Sequence, residues 1–176
     1  MKKAATVLAV LAVASTLACS SMTTSVDYDH TINWSQFHTF AIAEGTKDPE
    51  TFTQKRIEDG ITQSLQSKGW TLATSNPDVV VYSHTVLSSE KQWNATSTGG
   101  FGYRGWGGMG GGMATATQTT IPIGTIIVDM VNPKTNEMIW RGTAQDQVSG
   151  TGADRGQVQQ AMQAIFKNFP PTPGKS

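Results

Sequence analysis

The sequence predicts an α+β domain of two layers: one mostly antiparallel sheet, two helices packed on one face, and a long Gly-rich loop. Three observations carry that reading. Apolar residues recur with period two in several short runs and with period 3.6 in two longer ones. The runs follow the order ββα, then three or four strands, then α. A connection as short as Asn132 to Asn136 makes the strands that flank it antiparallel neighbours.

Each element has its own justification. Val26 to Asp29 and Phe37 to Ile42 read as strands, with Phe37, Thr39 and Ala41 alternating against His38, Phe40 and Ile42. Asp48-Pro49 reads as a helix start, an N-cap followed by a first-turn proline. Ile57, Ile61 and Leu65 then fall at i, i+4, i+8 and form one apolar stripe, which Gly69 terminates. Asp78 to about Leu87 is a strand rich in Val. A further strand runs from about Ile121 to Val131. After the turn chemistry of Asn132-Pro133-Lys134-Thr135-Asn136, Glu137 to Val148 returns beside it. Asp154 and Gln157 have the spacing of a capping box. Val158, Ala161, Met162, Ile165, Phe166 and Phe169 supply the buried face of the last helix, and Pro170-Pro171 stops it.

The N-terminus is an address. Lys2 and Lys3 form a positive region, followed by about fifteen small or apolar residues, Ala4 to Ala18. That run is shorter than the roughly 20 residues a membrane-spanning helix needs. Thr16-Leu17-Ala18-Cys19 resembles a lipobox, with a small residue before the cysteine that would carry lipid. The expected organisation is a signal peptide over 1–18, a lipid-anchored tether over 19–25, one domain over 26–171 and a tail over 172–176. Ser20 after the cysteine, where Asp is absent, resembles an outer-membrane sorting signal. The membrane is then the first expected partner, through lipid on Cys19.

Composition narrows the chemistry. Removing Lys2 and Lys3 leaves 11 basic against 13 acidic residues, which does not suit nucleic acid. Cys19 is the sole cysteine, so a cysteine nucleophile, an intrachain disulfide and a thiolate metal site are excluded. His30, His38 and His84 lack a second ligand at metal spacing. No phosphate-loop pattern and no G-x-S-x-G elbow is present. No catalytic residue, cofactor, nucleotide or metal is therefore expected. Asp27 and Asp29, two residues apart on one strand face, are the remaining acid–base pair. With His38 or His84 they would serve a hydrolase or transferase acting on an envelope polymer.

Residues 99–112 are a different material. Nine glycines in fourteen residues are interleaved with Phe101, Tyr103, Trp106 and Met109. Glycine loosens the backbone while the larger side chains offer contact area, so these four are the candidate partner contacts, for an envelope protein or a membrane surface. Asp129 and Arg141 are expected to form a structural pair. Ile126, Val128 and Met130 share one face with Met138 and Trp140, which leaves the opposite parity to Asp129 and Arg141.

Several segments together resemble the bacterial lipoprotein family catalogued as domain of unknown function 4136. They are Asp27-Tyr28-Asp29, Trp34 to Phe40, Pro77 to Val81, Gly124 to Asp129, Trp140-Arg141-Gly142 with Ala144, and Phe169-Pro170-Pro171. The resemblance spans roughly residues 24–171. It implies a lipid-anchored envelope domain without an assigned activity and carries over no catalytic residue. The function expected is a non-enzymatic binding or envelope-structural module.

Overall fold

The computed structural model describes residues 22–43, 51–97, 114–149 and 153–171. Among them are six strands and two helices, an α+β fold. In chain order they are β1 (Thr23–Tyr28), a 3-10 turn (Trp34–Gln36), β2 (Thr39–Ile42), α1 (Thr51–Ser67), β3 (Thr71–Leu72), β4 (Val79–Ser97), β5 (Ala114–Asn132), β6 (Glu137–Gln147) and α2 (Arg155–Ile165). The strands form one mixed sheet in the order β1-β6-β5-β4-β2-β3. β2 runs parallel to β3 and β4, and the other pairings are antiparallel.

Ile57, Ile61 and Leu65 of α1 are fully buried, each stabilising the fold by about 1.5–3 kcal/mol. Gly69 closes the helix with φ +86°, a conformation glycine adopts without a Cβ penalty. At α2, Asp154 and Gln157 form the reciprocal capping box, side chain to backbone in both directions. The turn after β5 uses Asn132, whose side chain accepts from Lys134 N–H, and Asn136 at φ 58°. The proposed helix start at Asp48-Pro49 lies outside the described residues.

Five aromatic rings close one end of the core. Phe169 sits 5.3–5.8 Å, centroid to centroid, from Trp34, Trp70, Trp140 and Phe166. Trp140 stacks on Phe166 at 5.2 Å. Gly142 is the point of closest approach between β6 and α2: a Cβ there would overlap Ile165 Cγ2 and the Trp140 ring. Ser83 on β4 accepts a hydrogen bond from Gln54 of α1 at 3.0 Å. Ser83, Val128 and Gly142 are cross-strand neighbours.

Four expectations change. β4 and β5 are each 19 residues long, well beyond the Leu87 and Ile121 bounds expected. Past the reach of burial, each is held by the other strand's backbone. β1 begins at Thr23 and pairs with β6, so Thr23–Ser25 are strand and not tether. Asp29 lies just past the end of β1 and is not in the strand with Asp27, although its N–H still donates to Ile139 C=O. Met138 is half exposed, away from Trp140 and Met130. The cause is a bulge between Met130 and Val131, where β6 carries one extra residue. The bulge lets consecutive Ile139 and Trp140 both bury.

Candidate functional site

Three surfaces were candidates for chemistry or binding. The first is a polar row across the sheet. Register places Asp27 of β1 opposite Arg141 of β6, Arg141 opposite Asp129 of β5, and Asp129 opposite Tyr82 of β4. Arg141 Nε donates to Asp129 Oδ1 at 2.6 Å and its Nη2 donates to Oδ2 at 2.7 Å. This two-pronged geometry is what a planar guanidinium offers a carboxylate. Asp129 is buried, and its hydrogen bond and charge push the Arg141 pKa above its already high ordinary value. His84 Nε2 stands 3.9 Å from Asp129 Oδ2, within ion-pair reach when the ring is protonated.

That row does not assemble an acid–base site from the residues singled out above. Asp27 and His84 lie on β1 and β4, three strand spacings apart, or about 14 Å. Asp29 accepts from the Thr31 hydroxyl at 2.7 Å and the Thr31 N–H at 2.8 Å, and these bonds hold its carboxyl below the usual range. It is a turn residue. His30 packs on Tyr28 at 4.3 Å. His38 precedes β2, where its N–H donates to Asp78. The Asp78 carboxylate accepts from the His38 and Thr39 N–H groups and from the Thr39 hydroxyl, which hold it below the usual range. It ties the start of β2 to the start of β4. Among the described residues, no three His, Asp or Glu side chains are grouped to hold a metal. Trp34 Nε1 is the buried side-chain donor left without a partner there.

The second surface is a groove of about 450 Å³ between α1 and α2, lined by Arg56, Asp59, Gln63, Arg155, Gln159 and Gln163 among others. It mixes both charges with amides and has no buried polar group directed into it that would select a ligand.

The third surface is the distal half of the β4–β5 hairpin. β4 and β5 pair in unbroken register from Val80–Val131 to Ser97–Ala114. β6 pairs with β5 only from Ile123 onward, and β2 with β4 only to Val81. Ser89–Ser97 and Ala114–Pro122 therefore form a two-stranded arm about 30 Å long. Leu87 at its base is 71% exposed and Trp93 on its length 67%. Sequence reasoning missed this arm, and the exposed Trp93 within a polar stretch was its one signal. The arm leads into residues 98–113. The contact candidates Phe101, Tyr103, Trp106 and Met109 therefore lie outside the described residues, as does Cys19. Among the described residues, no helix is long and apolar enough to cross a membrane.

Residues 24–171 match the model of a protein family described as Domain of unknown function (DUF4136). No curated protein matches the chain. Among solved structures, a PDZ domain protein from Parabacteroides distasonis ATCC 8503 is 14% identical with a TM-score of 0.55. The match covers 86% of this chain and 35% of that one, so the chain spans about a third of that protein's length. At such identity the likeness concerns the fold alone. A PelC dodecamer from Paraburkholderia phytofirmans is 12% identical at a TM-score of 0.45, covering 88% of this chain and 99% of that chain. A neuraminyllactose-binding hemagglutinin homolog from Helicobacter pylori is 14% identical at 0.40, covering 77% and 84%.

Proposed function

The chain belongs to the DUF4136 family, and on that premise we propose that it is a lipid-anchored, non-enzymatic binding module of the bacterial envelope whose β4–β5 arm is the contact element. The arm is the observation that carries this reading. A free two-stranded ribbon is marginally stable in water, yet this one extends far beyond the packed sheet and holds Trp93 in solvent. Val86, Leu87 and Trp93 are all exposed on this element and its base, and removing them from water would favour association with a partner. The glycine-rich segment between β4 and β5 in the sequence carries Phe101, Tyr103, Trp106 and Met109, which belong to the same reading as candidate partner contacts. The spacing of Asp27, Asp29 and the histidines weighs against catalysis, because acid–base chemistry needs at least two such groups at one place.

A two-layer arrangement, with both helices on one face, belongs to the same reading. Gln54 of α1 and Ile165 of α2 reach the neighbouring residues Ser83 and Gly142. The polar row of Asp27, Arg141, Asp129 and Tyr82 then lies on the other face. Anchoring through Cys19 would hold the domain close to the outer membrane on its periplasmic side. Ser20 to Met22 is all that separates Cys19 from β1, about 10 Å of extended chain.

Two experiments test the proposal. Replacing Lys91–Thr120 with Asn-Gly joins the hydrogen-bonded pair Glu90 and Ile121 by a two-residue turn. The shortened chain should fold and lose its crosslinks to other envelope proteins; unchanged crosslinks would refute the arm as the contact element. For the anchor, Cys19→Ser should abolish incorporation of a labelled fatty acid, and retained label would refute lipidation at this residue.

A further inference from the structure

The backbone of the arm has a direction. Val81 C=O accepts from Ala43 N–H on the outer side of β4. Strand geometry then turns the N–H and C=O groups of the odd-numbered residues outward and those of the even-numbered residues toward β5. Along the arm and its base, the outward residues are Leu87, Ser89, Lys91, Trp93, Ala95 and Ser97. Among the described residues, no strand pairs with this side of β4 beyond Val81. Proteins protect such edges with proline, bulges or several lysines. The outer edge of β5 is covered only at the base of the arm, where β6 pairs from Ile123 and Pro122, which has no N–H to offer, accepts from Val148 N–H; beyond it only Ala114, Ala116, Gln118 and Thr120 face outward, against six residues on β4. The β4 edge has no proline and no bulge, and from Leu87 to Ser97 its charges are Glu90 and Lys91 alone.

We propose that the outer edge of β4 pairs with the same edge of a second copy of this chain, antiparallel, about a two-fold axis at Gln92. The proposal rests on the arm being a contact element and names its partner. A two-fold perpendicular to the sheet keeps like faces together, so each residue meets one of its own parity. One register engages all six outward residues of both copies, and it centres on Gln92. There Lys91 of each copy lies opposite Trp93 of the other, an ammonium beside an exposed indole. Ser89 meets Ala95, and Glu90 meets Asn94. No like charges face each other. Centring on Glu90 or Lys91 instead would set two like charges directly opposite, which is destabilising. The joined arms form a four-stranded sheet, β5-β4-β4-β5, and each ribbon gains the neighbour it lacks.

The full chain, in membranes of the producing cell, tests this with three single variants, Gln92→Cys, Glu90→Cys and Asn94→Cys, under mild oxidation. At the axis, residue 92 meets its counterpart as a non-hydrogen-bonded pair with Cα atoms about 4.5 Å apart, within disulfide reach. Residues 90 and 94 each lie about 13 Å from their own counterparts. Gln92→Cys should therefore give covalent dimer at least ~10-fold above both neighbours and above the unaltered chain, whose sole cysteine, Cys19, has its sulfur taken up by the lipid. Independently, Ala95→Pro removes one outward N–H and no β4–β5 bond, so the detergent-solubilised chain should sediment as a monomer with its melting temperature retained. Equal dimer yields at 90, 92 and 94, or a monomeric unaltered chain, would overturn the pairing. If the chain is monomeric while the shortened arm still loses its crosslinks to other proteins, self-pairing falls and the binding module stands. If Gln92→Cys traps dimer while the shortened arm keeps those crosslinks, the reverse holds.

Discussion

Adding one methyl group at Gly142 should cost the domain several degrees of melting temperature. A Cβ at this position would overlap Ile165 Cγ2 and Trp140 Cη2 and lie 3.0 Å from Trp140 Cζ3. Neither neighbour has room to retreat. Ile165 and Trp140 are each 1% exposed, and Trp140 is stacked on Phe166. Overpacking of this kind costs about 1–3 kcal/mol, and two confined partners put it near the top of that range. Removing glycine from a strand returns about 0.5–1 kcal/mol. The net loss for Gly142→Ala is about 2 kcal/mol, or roughly 4–8 °C for a chain of this size. Two other glycines calibrate the argument. At Gly124 the obstacle is Val148 Cγ1 at 2.7 Å, just past the end of β6, where the chain can shift. At Gly60 it is Met162 Cγ at 2.7 Å, a flexible side chain, and alanine gains about 1 kcal/mol of helix propensity there. Circular-dichroism melts of the three alanine variants should therefore rank the losses Gly142, then Gly124, then Gly60, the last near zero. A Gly142→Ala variant that melts within about 1 °C of Gly60→Ala would refute the close approach of β6 and α2.

Further perturbations test the ion pair and the β2–β4 clasp. Arg141→Ala strands the buried Asp129 carboxylate, and because Arg141 is itself half exposed the loss in urea unfolding should be only about 1–2 kcal/mol. Arg141→Lys should recover less than half of it, since an ammonium cannot make the two-pronged contact; full recovery would refute the role of that geometry. Asp78 is held below the usual carboxylate range, chiefly by His38 N–H and next by Thr39. A carboxylate depressed in the folded state contributes stability above its unfolded pKa and loses it as pH falls through the folded value. The melting-temperature gap between the unaltered chain and Asp78→Asn should thus hold steady from pH 7 to about pH 5 and narrow below about pH 4. A gap constant down to pH 2 would refute this.

The parts of the fold that follow a local rule were legible in the sequence. The Ile57-Ile61-Leu65 stripe, the Asp154/Gln157 capping box and the Asn132–Asn136 turn each carry their signal within a few residues. Asp129 and Arg141 were matched by the face assigned to Met130 and Trp140, and the pairing is set by the one-residue bulge and not by alternation counted from the turn. The illegible parts depend on distant partners. Nothing in Thr23–Ser25 announces a strand, because β1 is held by β6 more than a hundred residues later. The parallel pairing of β2 with β4 is equally silent. The arm was missed because Ser89–Ser97 and Ala114–Thr120, rich in Ser, Thr and Gln, bury no face, so their strand character comes from pairing alone. The bulge at Ile139 is a one-residue event, and it sends Met138 to solvent where simple alternation buries it.

The central claim is that the β4–β5 arm is where this protein meets its partners. Its most direct test is site-specific photocrosslinking in living cells. A photoreactive side chain replaces Leu87 or Trp93 on the arm, both exposed, or Gln63 in the groove between α1 and α2. Protein adducts from positions 87 and 93, with none from 63, are the result predicted. Adducts from 63 with none from the arm would contradict the account.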